Sequence, residues 1–358
     1  MSNSQGFKVF ITAVGLVCPA GLSAPAACAA MRAGMALFSE LPYRDNAGEP
    51  IVGAFVPSVQ LSLTRDNRLI DLLTAALRDC LDASRLDSPA QVPLLIGLAE
   101  PGRPGGGAAL ADVIVRQVEE RLGLKFHSGL SRAIPLGHTA GFAGLKMARE
   151  ILNDPKVPAC VVAGVDSYIN ASALRWLSVN DRLKTADYSD GVIPGEAAAA
   201  VVVRREPSAE STMRVIGMGF GKETAHILCD EPLLGQGLTA AARSALAEAK
   251  FGLHEIDWRI SDVTGEQYGF KEIPLVEGRL VRIARKEPQP LWHCADSIGD
   301  SGAAAGVVQL VVVYQAYRKG YAPGDKAICL TSSVPGDRAA LITCRGMGQA
   351  PAGESHGL

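Results

Sequence analysis

The sequence has few aromatic residues, 5% of its 358 positions, and only three of these are tryptophan. It has no Cys-x-x-Cys pair, no long run of like charge and no low-complexity block. Each absence excludes something. With a formal net charge of -2 and no basic stripe, nucleic acid is not an expected partner. The eight cysteines are scattered through apolar stretches, which fits reduced, buried thiols in a cytoplasmic protein better than a disulfide framework. His127, His226, His254 and His293 lack metal-ligand spacing to one another, so neither a metal nor another cofactor is expected. The apolar run 306–314, "GVVQLVVVY", is too short to span a bilayer, and no membrane association is expected. "KVFITAVGLVCPAGLSAPAACAA" has the charge and small residues of a secretory leader. Gly15 and Pro19 interrupt it, however, and its β-branched residues suit a buried strand.

What is abundant is glycine, 38 residues, within a composition that is 48% hydrophobic. Small apolar residues of this kind suit helices packed closely on sheets. Strand-like runs alternate with helical ones along the chain. "VFITAVGLV", "VPLLIGLAE", "ACVVAGVDS" and "AAAAVVVRRE" read as strands of the first half. "SAPAACAAMRAG" reads as a helix with Ser23 as N-cap and Gly34 beyond its end. "DNRLIDLLTAALRDCLDAS" places Leu69, Leu72, Leu73, Ala76, Leu77 and Cys80 on one helical stripe. The second half repeats the style in "MRVIGMGFGK", "GLTAAARSALAEAKF", "WRISDVTGE", "SGAAAGVVQLVVVYQAYRKG", "KAICLTSS" and "AALITCRG". The recurrence predicts an α/β fold built from two duplicated halves, residues 1–208 and 209–358. "GMGFG" lacks the spacing of a dinucleotide loop and predicts tight backbone packing instead. "PGRPGGGAA" (101–109) reads as a loop, and the tail from 348 as a solvated terminus.

The stretch "DRLKTADYSDGVIPGEAAAAVVV" resembles the thiolase-like condensing enzymes, the β-ketoacyl synthases among them. Asp190, Gly191, Pro194, Gly195, Glu196 and Ala197 occupy matching places. The opening strand and Pro-Gly turn, "ACVVAGVDSYIN" and "IGDSGAAAGVVQLVVV" extend the resemblance over essentially the whole chain. It implies a five-layer αβαβα fold and a dimer, with itself or with a related protein. An acyl carrier or a secreted effector is the further partner it implies.

The same resemblance locates the family's Cys-His-His triad. "GHTAGFAGLKMA" falls on the nucleophile elbow, with His138 in the cysteine position. In "SDVTGEQYG", Thr264 takes the first histidine position, Gly265 is retained and Glu266 follows. In "ADSIGDSGAAAG", Asp300 takes the second histidine position and Ala295 stands where the family has lysine. The family's final glycine-rich loop becomes "SVPGDR", residues 333–338. Condensation needs a thiolate to hold the acyl group and imidazoles to stabilise the enolate and oxyanion. None of the three replacements supplies these functions.

Three readings follow. The first is a non-catalytic synthase-like protein that acts by binding, as chain length factors or effector accessory proteins do. The second is an acyltransferase with another nucleophile, His138 itself or Cys294, the latter in the strand-like "LWHCADS". The third is a hydrolytic or metal site in which His138, Glu266 and Asp300 converge; its plainer counterpart is a polar cluster paired through His138 and Asp300.

Overall fold

The computed structural model describes residues 8–59, 64–84, 86–106, 110–207 and 212–346. The expected boundary between the halves, the last residues of the 101–109 loop and the tail from 348 lie outside these. In the first half, strands are β1 (Val9–Val17), β2 (Ser39–Arg44), β3 (Pro50–Gly53), β4 (Leu94–Leu98), β5 (Arg132–Pro135), β6 (Cys160–Ser167) and β7 (Glu196–Arg204). Its helices are α1 (Ala24–Arg32), α2 (Arg65–Asp82), α3 (Ile114–Leu122), α4 (Ala140–Ile151) and α5 (Ala171–Val179). The second half adds β8 (Met213–Lys222), β9 (Trp258–Ser261), β10 (Leu291–His293), β11 (Lys326–Ser332) and β12 (Asp337–Arg345). Its helices are α6 (Gln236–Ala249), α7 (Gln267–Leu280), α8 (Ala295–Ile298) and α9 (Ala305–Lys319).

Ten strands form one sheet in the order β10-β9-β11-β12-β8-β1-β7-β6-β4-β5, while β2 and β3 pair separately. The order is the same in each half when read outward from the middle. β1 pairs antiparallel with β7, and β8 with β12. β6 and β11 continue each half antiparallel, and β4 and β9 then join them in parallel. The duplication expected from the alternation of elements is therefore written in the hydrogen-bonded topology. Val9–Val17, the leader-like stretch, is a central strand, buried along nearly its whole length.

Helices lie on both faces and between the halves, which gives five alternating layers. Helix α2 covers one outer face through Leu69, Leu72, Leu73, Ala76, Leu77 and Cys80, all at most 1% exposed. Helix α6 covers the other through Leu238, Ala241, Ala242 and Ala245. α4 and α9 form the middle layer, with Phe142, Leu145, Val307 and Val311 in the largest core cluster. α9 is buried from Ala305 through Tyr317, as a helix packed between the two halves of the sheet must be. The glycines of "GMGFG" explain how closely α6 approaches β8. A Cβ at Gly219 would lie 1.9 Å from the Ala241 carbonyl oxygen, and Gly217 and Gly221 meet α6 in the same way.

Some local expectations change. Ser23 takes the N-cap position of α1, but its side chain makes no cap hydrogen bond. The strand-like "LWHCADS" is a three-residue strand, after which Cys294 leads into the short helix α8. Helix α7 is not evident in the sequence because Pro274 lies inside it. Among the described residues no helix is long and apolar enough to cross a membrane.

Candidate functional site

The two middle helices begin in the same way. Each is preceded by one turn of tighter helix, Gly137–Thr139 before α4 and Gly302–Ala304 before α9. Gly137 and Gly302 both have left-handed backbone, with φ of 58° and 51°. Only glycine adopts this freely, and here it is also required by space. A Cβ at Gly137 would lie 2.4 Å from a Glu100 carboxylate oxygen, and one at Gly302 would lie 2.1 Å from Asp166 Oδ2. Helix starts present unpaired N–H groups and a partial positive charge, so carboxylates collect there. Asp166 accepts from the Ala303 N–H at 2.8 Å, and Asp300 accepts from the Gly302 N–H at 2.9 Å.

His138 and Asp300 meet between these two starts. His138 Nε2 lies 2.9 Å from Asp300 Oδ1, and both side chains are almost fully buried. The Asp300 backbone is fixed from the other side. Its N–H donates to the Ile193 carbonyl, and its carbonyl accepts from the Gly195 N–H at 3.1 Å. The "IPGE" and "GDSG" segments are thereby locked together.

Burial alone would push the His138 pKa down. The charge of Asp300 and its hydrogen bond outweigh burial and raise the value to about 9. Burial likewise disfavours ionised Asp300, but His138 and the Gly302 N–H lower its pKa to about 2. At neutral pH the pair is an imidazolium and a carboxylate. A protonated imidazole has no in-plane lone pair, so His138 in this state is neither nucleophile nor base. Asp262 lies close by, accepts from the Ser332 N–H at 2.8 Å, and is pushed up to about 6 by burial.

Thr264 and Glu266 line the same cavity as His138 and Asp300. Glu266 is not aimed at His138, however. Arg182 holds it in a two-pronged pair, Nε to Oε1 at 2.7 Å and Nη2 to Oε2 at 2.8 Å. Thr264 Oγ1 makes a long contact of 3.4 Å with Glu266 Oε2. The imidazole with two free carboxylates that a cation would need is thus not assembled, because arginine has already neutralised one carboxylate. Among the described residues no group of three or more His, Cys, Asp or Glu side chains is placed to hold a metal ion.

The cavity enclosed by these groups is only about 50 Å³. About 10–15 Å³ of such space holds one water, so the cavity admits a few waters, whereas ligand sites are typically about 300–1,000 Å³. Side chains fill the space around it. Arg338 Nε donates to Glu272 Oε1 at 2.7 Å, and its Nη2 donates to the Tyr268 hydroxyl at 2.8 Å. Ser333 Oγ donates to the Leu136 carbonyl at 2.6 Å and accepts from the Thr139 N–H at 3.1 Å, which ties the "SVPGDR" loop to the elbow. An open cleft of about 740 Å³ lies outside, and Arg182 and Glu266 line both spaces. Cys294 lines neither of them but shares a third cavity, of only about 20 Å³, with Asp262, Thr264 and Asp300, and burial pushes its thiol up to about 12. All eight cysteines are free thiols.

Arg182, Glu272 and Arg338, all buried, and the half-buried Asp262 line the site without a signal in the sequence. Each is a charged residue in a polar context that looks like solvated surface. Two further buried partners do carry a signal in the sequence, though the pair was not read from it. Arg68 continues the spacing of Leu72 and Ala76 on the buried stripe of α2, and Glu196 opens a wholly apolar strand. They pair through Arg68 Nε and Glu196 Oε2 at 2.8 Å.

No protein-family model matches the chain, and no curated protein matches it in sequence. Solved structures do match its fold. One is the ketosynthase (ApeO) in complex with its chain length factor (ApeC) from Xenorhabdus doucetiae, with a TM-score of 0.75 and 16% identity, covering 97% of this chain and 100% of that one. A second is the oxazolomycin ketosynthase domain OzmH KS7 of Streptomyces albus, at 0.78 and 16%, covering 96% of this chain and 76% of that one. A third is the ishigamide ketosynthase/chain length factor, at 0.71 and 18%, covering 94% and 99%. The chain therefore has the thiolase-like fold of the condensing enzymes.

Proposed function

We propose that this chain is a non-catalytic member of the condensing-enzyme fold class that works as the binding or scaffolding partner of a related protein, in the manner of a chain length factor. The observation that carries this reading is the buried His138–Asp300 ion pair in a cavity of about 50 Å³. In the register given by the resemblance, the pair occupies the positions of the nucleophile and one catalytic histidine. It replaces a thiolate with a protonated imidazole and an imidazole with an anion, which would repel a developing enolate. The fold nevertheless matches ketosynthase structures with TM-scores of 0.75 and 0.78, and glycines position both helix starts. A structure maintained in this way around a neutralised centre supports selection on its surfaces rather than on its chemistry.

Neighbours of the same fold include a ketosynthase with its chain length factor, and an acyl carrier protein with its ketosynthase. These pairings support a partner of the same class, a related condensing enzyme that retains its cysteine. Coexpression with such an enzyme from the same genome, followed by native mass spectrometry, is expected to give a one-to-one heteromer. Recovery of separate homo-oligomers at equal, micromolar concentrations would contradict the reading.

A further inference from the structure

We propose that the groove between α1, β10 and the end of α9 is a binding site for a small planar aromatic compound carrying one anionic group. The groove encloses about 560 Å³ and is lined by Met31, Arg32, Trp292, Cys294, Val312 and Tyr321 among others. That volume lies within the ordinary range of small-ligand sites, about 300–1,000 Å³. It shares no lining residue with the His138 cavity.

Two observations define the ligand class. The first is a concentration of aromatic rings in a chain that has few. Two of its three tryptophans stand here. Trp258 is fully buried and supports Trp292 at a ring-centroid distance of 4.6 Å. Trp292 in turn stacks with Tyr321, at 6.2 Å and 21° between planes. Trp292 and Tyr321 are only half-buried, and both line the groove. The faces of both rings are engaged, Trp292 by Trp258 and Tyr321, and Tyr321 by Trp292 and Arg32. What the half-buried rings offer the groove is their edges, which suit edge-to-face contact with a flat apolar guest. The second observation is Arg32, whose guanidinium sits 4.6 Å from the Tyr321 ring centroid on the exposed rim. Among the described residues no carboxylate pairs with it. The exposed acid of the groove, Asp296, is placed beside His293 instead, 3.4 Å from Nδ1. An unpaired guanidinium at an aromatic wall favours an anion and disfavours the cations that aromatic cages otherwise take. Binding is non-covalent, since burial holds the Cys28 and Cys294 thiols in their protonated form.

The test uses the full chain, with 2-naphthoate as the acidic probe and naphthalen-2-ylmethanol as its neutral counterpart, titrated calorimetrically. The expected result is saturable 2-naphthoate binding at one site per chain. Trp292→Leu weakens both probes by about tenfold or more. Arg32→Gln weakens 2-naphthoate about five- to tenfold and leaves the alcohol unchanged. Trp292 packs on a core residue, so Met31→Trp, which fills the groove from the surface helix, serves as a second blocking variant and is expected to abolish binding of both. No saturable binding up to millimolar 2-naphthoate would overturn the proposal. So would binding that survives Met31→Trp, or an Arg32→Gln effect equal for the two probes.

Discussion

Replacing Asp300 by asparagine keeps the shape of the site and removes the charge that holds His138 protonated. The His138 pKa is about 9 against an ordinary 6.5. A gap of this size corresponds to about 3 kcal/mol of preference for the charged form, counted once because the lowering of Asp300 describes the same contact. A histidine raised in the folded state stabilises fully below its unfolded value, and that contribution is lost as pH rises through about 9. An aspartate depressed to about 2 stabilises above its ordinary 3.8 and loses the contribution as pH falls through about 2. The pair is therefore at full strength between about pH 4 and pH 6.5. In Asp300→Asn burial acts against only the weaker pull of Asp262 and Glu100, so the His138 pKa falls well below its native value. For a chain of this length, the loss of about 3 kcal/mol lowers Tm by about 4 °C at pH 6. The difference narrows as pH rises from about 6.5 through about 9, where the native His138 also loses its proton. Histidine NMR titration and thermal unfolding at pH 6 and pH 10 measure both effects. An unchanged His138 titration, or a Tm difference that does not depend on pH, would refute the reasoning.

Other perturbations probe the packing around the pair. Arg182→Ala leaves Glu266 buried without its partner and is expected to cost about 3–5 kcal/mol in urea unfolding. Arg182→Lys recovers little of that loss, because an ammonium cannot reproduce the two parallel bonds. Gly219→Ala drives a methyl into the Ala241 carbonyl and is expected to eliminate soluble folded protein on expression. Gly278→Ala, exposed within α7 with nothing inside 4 Å, is expected to raise stability by about 0.5–1 kcal/mol, measured as a higher urea midpoint.

The fold was largely legible because its signals are periodic and local. The stripe of α2, the apolar runs of β6 and β7, and the glycine alternation in β8 each require a particular packing partner, and each found it. Helix α7 was hidden by Pro274, and the β2–β3 hairpin by the shortness of its strands, six and four residues. The elbow at His138 was legible through its small residues and the helix that follows. The pairing of His138 with Asp300 followed from the two loops meeting, but the fate of Glu266 did not. It depends on Arg182, which lies 84 positions away at the start of the stretch that carries the family resemblance and has no periodic signal of its own. Charged residues buried by tertiary contact carry no periodic signal. For this reason the arginine pairs that fill the centre, those of Arg103, Arg182 and Arg338, emerge only in three dimensions.

The central claim is that the condensing-enzyme centre has been neutralised, and acyl transfer tests it most directly. The purified chain is incubated with a panel of acyl-CoA and acyl-carrier thioesters together with malonyl-CoA, and intact mass, released thiol and decarboxylation are followed. The account predicts an unmodified mass and background release across pH 6 to 8. A stable acyl adduct on His138 or Cys294, or malonyl decarboxylation that disappears in His138→Ala, would contradict it.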